Sequence, residues 1–172
     1  MNWFRKPQTQ NQVNPNDVSN SILHDERTFY NQFTHDLLRT KQEVIIESPF
    51  LTIKRLNMFK PIFEKLVSRG VQIFVMTRHP HEHDEDMAEQ AEAGIRYFEE
   101  LGVQVLLCDG YHHRKLAMID REILWEGSLN ILSPSRSREF MRRIASKRLT
   151  EEMFKFLRYN QMEFIRKSLN LV

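Results

Sequence analysis

Apolar positions along the chain alternate between helical and extended patterns. Over residues 18–40, Ile22, Phe29, Phe33 and Leu37 recur at helical intervals, and residues 43–49 follow with the Val-Ile-Ile centre of an inner strand. Residues 56–69 carry Phe59, Phe63, Leu66 and Val67 on one helical face and stop at Gly70, after which residues 71–77 are again rich in β-formers. A further helical stretch at 84–101 ends at Gly102 and leads into an extended run at 103–108. Helix, glycine and strand in that order, twice over, is the punctuation of α/β connections. Beyond Cys108 the texture changes: residues 115–119 and 122–125 are short β-type runs separated by Asp120 and Arg121, which suits a hairpin and makes the sheet mixed. Residues 150–169 open with Thr150 ahead of Glu151 and Glu152, and they place Met153, Phe156, Leu157, Phe164 and Ile165 near helical spacing, predicting a closing helix. There is no internal repeat.

Composition narrows this to one domain. The 172 residues, 41% apolar and 28% charged, exclude wholesale disorder and divide into a Gln- and Asn-rich tail at 1–17 and a single domain at 18–172. No apolar run approaches the ~18 residues of a membrane-spanning helix, so integral membrane association is not expected. The single cysteine, Cys108, sits in a run that reads as a buried strand and has no partner in the chain, which favours a packing role and a reducing compartment. The first residues lack a secretory signal's apolar stretch, so the expected location is cytoplasmic.

A net charge of +2 points to no partner by itself, but the charge is segregated. Residues 136–148 hold six basic side chains (Arg136, Arg138, Arg142, Arg143, Lys147, Arg148) against Glu139, and residues 82–100 hold eight acidic ones against Arg96. The basic stretch suits a polyanionic backbone, with Arg136, Arg138, Arg142 and Arg143 as candidate nucleic-acid contacts; a solvated helix face is the bland alternative.

The chemistry lies in one segment. His113, Lys115 and Asp120, followed after six residues by Gly127, Ser128 and Asn130, satisfy the pattern H-x-K-x4-D-x6-G-S-x-N. Residues two apart in extended chain share a face, so His113 and Lys115 point together while Arg114 points away. Gly127 lets the backbone pass close by, and Ser128 and Asn130 aim a hydroxyl and an amide at the same space. Donors converging on an anion-sized pocket suit a phosphodiester, whose oxygens gain charge in the transition state. A neutral imidazole can attack phosphorus, and a second one can protonate the leaving oxygen.

This pattern resembles the phospholipase D superfamily. The resemblance covers residues 43–143, including the Glu47-Ser48-Pro49-Phe50 turn, and implies a phospholipase D-like α-β-α sandwich with a mixed central sheet. It implies a phosphodiesterase without metal or other cofactor, acting through a phosphohistidine on His113. Lys115, Ser128 and Asn130 would be the donors and Asp120 a structural residue. Glu139 would orient the histidine ring, with Glu47 as a rival. With a single motif, a homodimer would supply the second histidine. Nucleic acid, DNA ahead of RNA, is the expected substrate and partner. A phospholipid phosphodiesterase and an inactive nucleic-acid-binding module are the alternatives. The His79, His81, His83 cluster and its acidic neighbours resemble a metal site, but Pro80 and the helix-starting carboxylates favour a structural reading. Arg78 and His79 end a strand where α/β sheets place ligands, so substrate contact there is plausible.

Overall fold

The computed structural model describes residues 20–134 and 137–159. Its strands are β1 (Ser21–Asp25), β2 (Glu43–Glu47), β3 (Gln72–Arg78), β4 (Gln104–Cys108), β5 (Leu116–Ile119), β6 (Ile123–Gly127) and β7 (Phe140–Ala145). The helices are α1 (Phe29–Arg39), α2 (Ile53–Ser68), α3 (Glu85–Glu100) and α4 (Lys147–Phe156), with a 3-10 turn at Pro80–Glu82. One seven-stranded sheet runs in the order β1-β7-β6-β5-β2-β3-β4. The β2, β3 and β4 strands are parallel, and all other neighbours are antiparallel. The sheet is therefore mixed, as the sequence pattern predicts, and the fold is α/β.

Alternation along the strands builds a core on each face. Val44, Ile46, Ile73, Val75, Ala117, Ile119, Trp125 and Met141 pack with the phenylalanines of α1, α2 and α3. Ile45, Phe74, Met76, Leu116, Met118, Leu124 and Ile144 point the other way and meet Phe154 and Tyr159 at the C-terminal side. Trp125, Phe29, Phe33, Phe59, Phe63 and Phe98 are fully buried, each stabilising the fold by roughly 1.5–3 kcal/mol. Among the described residues no helix is long and apolar enough to cross a membrane.

Several elements differ from the expectation. The stretch at 18–40 is a strand and a helix, not one helix. Asp25 Oδ1 accepts from Arg27 N (3.1 Å), Thr28 N (2.9 Å) and Thr28 Oγ1 (2.8 Å), ending β1 before α1 starts at Phe29. Ile22 lies on this edge strand, 57% exposed. Within the basic stretch, Phe140–Ala145 form β7, whose adjacent arginines hide its alternation, while Lys147 and Arg148 open the last helix. The closing helix starts at Lys147, because Ser146, not Thr150, is its cap: Ser146 Oγ accepts from Leu149 N (3.3 Å). Phe156 is largely exposed and Arg158 takes a positive φ of 61°, which ends this helix within the described residues. The remainder of the predicted helix and the 1–17 tail lie outside the described residues. The 103–108 run is an edge strand, and Cys108 is half-buried; burial first, then the Glu47 carboxylate, pushes its thiol up to about 11.

Candidate active site

The β5–β6 hairpin sets the floor of the site. Asp120 and Arg121 both have positive φ (51° and 54°), and Glu122 N donates to Ile119 O (2.9 Å), which closes a tight turn within the short connection between Ile119 and its partner Ile123. Neither residue is glycine, so contacts must hold the turn. Asp120 accepts from the backbone N–H groups of Lys41 (2.9 Å), Gln42 (2.8 Å) and Glu43 (3.0 Å), while Arg121 Nε donates to Glu43 Oε1 (2.6 Å). The Asp120 side chain thereby joins the hairpin to the start of β2, far along the strand from His113.

At the other end of the hairpin, Gly127 N donates to Lys115 O (3.3 Å) and Ser128 N to Phe140 O (3.0 Å). A Cβ on Gly127 would overlap Phe140 O and lie 2.9 Å from Met141 Cα, so the close passage of β7 requires glycine here. His113, Lys115, Gly127, Ser128, Asn130, Glu139, Phe140 and Arg142 line one open cleft of about 900 Å³. His113 is the one histidine lining it among the described residues.

His113 and Lys115 sit in irregular chain just before β5, not in a strand, yet they still meet. Lys115 Nζ lies 2.8 Å from His113 Nδ1 and 3.2 Å from Nε2, and it donates to His113 O (2.7 Å). Partial burial, then the charges of Lys115 and Arg78, hold the His113 pKa below its usual value, which favours the uncharged, nucleophilic ring. Burial also lowers the pKa of Lys115; the Glu139 carboxylate opposes this and Arg78 reinforces it. Ser128 Oγ accepts from Phe140 N (3.2 Å), which leaves the hydroxyl proton to donate. Asn130 Oδ1 is buried with no hydrogen-bond partner among the described residues, an orphan polar group of the kind found at ligand sites. Glu139 Oε1 accepts from Ser137 Oγ (2.6 Å) at the cleft wall.

The rival carboxylate is engaged elsewhere. Glu47 is completely buried, and Arg114 reaches it from Nε (2.6 Å) and Nη2 (2.8 Å). The Tyr159 hydroxyl also donates to Glu47 Oε1, and His112 Nε2 lies 3.5 Å from Oε2. Glu47 thus holds Arg114, which itself lines the cleft next to His113, and fixes the chain that carries the histidine.

The basic residues separate by strand face. Arg142 lines the cleft, and Arg138, four residues earlier, is exposed. Arg143 corrects the expectation: its Nε and Nη2 donate to Asp36 (2.7 and 3.0 Å), which also accepts from Trp125 Nε1 (3.0 Å). That arginine neutralises a buried carboxylate on the helical side of the sheet and is not a surface contact. Arg136 lies outside the described residues.

One neighbour of the cleft falls outside the motif. Arg78 ends β3, donates from Nε to His112 O (3.2 Å), and contributes to the positive field on both His113 and Lys115. Of the histidine cluster, His79 Nδ1 and His81 Nδ1 stand 2.5 Å apart, and His83 packs against Phe50 (5.3 Å between rings). A ligand atom from each of His81, Glu82 and Asp109 lies within 4.8 Å of the others, but the Glu82 carboxylate is occupied by two backbone N–H groups.

A mixed seven-stranded sheet flanked by helices, with this cleft at the β6–β7 junction, is the phospholipase D fold. The chain belongs to the PLD-like family described as "Cardiolipin synthase, PLD-like domain", whose family model matches residues 33–159. Among solved structures it resembles NucT from Helicobacter pylori, with a TM-score of 0.66 at 18% identity over 83% of this chain and 94% of that one. It also resembles Nuc from Salmonella typhimurium, a phospholipase D family member, with a TM-score of 0.65 at 14% identity over 82% and 94% of the two chains. TrmBL2, an archaeal chromatin protein with its own mode of DNA binding, matches with a TM-score of 0.57 at 13% identity over 85% of this chain and 53% of that one. No curated protein matches in sequence.

Proposed function

We propose that the protein is a metal-independent phosphodiesterase acting on nucleic acid, DNA ahead of RNA, as a homodimer. The observation that carries this reading is the convergence of His113, Lys115, Ser128, Asn130 and Glu139 on one open cleft. Neutral His113 attacks phosphorus, and the bond to the leaving oxygen breaks as that oxygen takes a proton. A second imidazole, from His113 of the partner subunit, supplies the proton. Water then attacks the phosphohistidine, the same imidazole accepts its proton, and the P–N bond breaks to release the phosphate ester and restore His113. Lys115, Asn130 and Ser128 meet the charge growing on the non-bridging oxygens. Glu139 holds the cationic centre of the site in balance.

Arg142 in the cleft and Arg78 beside it supply positive charge that suits a polyanion. The test is cleavage of a plasmid, a single-stranded oligonucleotide and an RNA in excess EDTA, wild type beside His113→Ala. Cleavage that survives EDTA and vanishes with His113 is expected. Hydrolysis of phosphatidylcholine vesicles with no attack on nucleic acid would overturn the substrate, and loss of cleavage in EDTA would overturn metal independence.

A further inference from the structure

We propose that Tyr111, Arg78 and Phe50 form a nucleobase subsite beside the cleft, in which Tyr111 stacks on the base adjoining the scissile phosphate; this rests on the nucleic-acid reading above. The first observation is a costly backbone that buries nothing. Tyr111 is 74% exposed and has a φ of 56°, following Gly110 at 83°. A bulky residue rarely adopts that conformation, and it persists only where surrounding structure imposes it. Glu82 imposes it here: Oε1 accepts from Gly110 N (2.7 Å) and Oε2 from Tyr111 N (2.8 Å), so a turn after β3 pins a loop after β4. The outcome is an aromatic ring held in solvent two residues before the nucleophile.

The second observation is what stands around that ring. The Arg78 guanidinium lies 5.1 Å from the centre of the Phe50 ring and 6.0 Å from that of Tyr111. Phe50 meets the His113 ring edge-on at 6.4 Å. Nucleophile, cation and two aromatic faces are thus contiguous. A polynucleotide presents a phosphate and a flat π-surface in alternation, and proteins hold it with a basic track and stacking side chains.

The test compares an oligothymidylate with an oligomer of equal length bearing abasic residues, so that only the bases differ. The ratio of their kcat/KM values is measured for wild type, Tyr111→Ala and Tyr111→Phe, and affinity is measured by fluorescence anisotropy in the His113→Ala background. Expected is a preference for the base-bearing oligomer that collapses by about tenfold in Tyr111→Ala and survives in Tyr111→Phe. An unchanged ratio in Tyr111→Ala, or equal binding of both oligomers, would overturn the subsite. Base-dependent, Tyr111-dependent binding without cleavage by the wild type would keep the subsite and overturn the nuclease. Matching thermal melts would show that the exposed substitution leaves the fold intact.

Discussion

Adjacent residues on β7 meet opposite fates, and the difference is measurable. Arg142 lines the cleft while Arg143 neutralises buried Asp36. Arg143→Ala strands a carboxylate that is 3% exposed, so it should cost about 3–5 kcal/mol in chemical denaturation. Arg142→Ala should leave stability within about 0.5 kcal/mol and weaken nucleic-acid binding, lowering the slope of log affinity against log salt by roughly one unit. Equal stability losses in the two variants would contradict the assignment of faces. The same scale governs pH dependence. His113 attacks only when neutral, and burial, Lys115 and Arg78 all disfavour its charged form, so the acid limb of kcat/KM belongs below the ordinary histidine value of 6.5. Removing one of those cations in Arg78→Gln lets the ring hold its proton to higher pH, and the limb should move upward. A limb that stays still or moves down in a kcat/KM profile would show that Arg78 does not act on the nucleophile.

Between residues and fold stand the elements, and the hairpin that carries the motif shows how they are held. Asp120 gives its carboxylate to three backbone N–H groups at the entry to β2. Asp120→Ala should therefore destabilise the protein by about 2 kcal/mol, with Asp120→Asn losing less because one oxygen acceptor remains. Thermal melting of the pair, beside kcat at a temperature where both are folded, checks that this residue supports structure and not chemistry. Much of this was legible beforehand: Asp120 and Arg121 punctuate two β-rich runs, and the helix-glycine-strand spacing marks β2, β3 and β4. The i, i+2 spacings at His113 and Lys115, and at Ser128 and Asn130, also place their side chains in one cleft. What escaped were elements defined by pairing and not by pattern. The edge strand β1 is held by its register with β7, Ser21 opposite Ile144 through Asp25 opposite Phe140, and neither strand shows clean alternation. Nor could composition reveal that Arg143 answers to Asp36, 107 positions away, or that Glu47 answers to Arg114.

At the scale of the whole molecule the open question is where the second imidazole comes from. His113 is the only histidine lining the cleft among the described residues, yet the displacement needs a group to protonate the leaving oxygen. For the homodimer proposed above, the cleft face of the sheet end is the surface that would meet another copy. Phe140, 53% exposed, lines the cleft, and Leu23, 62% exposed, stands opposite Arg142 on β1. In the homodimer proposed above, twofold symmetry would bring one patch against itself, so that a single pair of apolar side chains would be used twice and two His113 rings would approach across the axis. This arrangement makes a quantitative demand on mixed assemblies. If wild type and His113→Ala are co-refolded in equal amounts with different tags, a heterodimer carries one imidazole and is inactive. Activity per total protein should then fall to about a quarter of the wild-type value, the fraction of dimers with both rings. A fall to about half would mean that each chain works alone, and the proton would then have to come from another group within the same cleft, with Glu139 the first to replace.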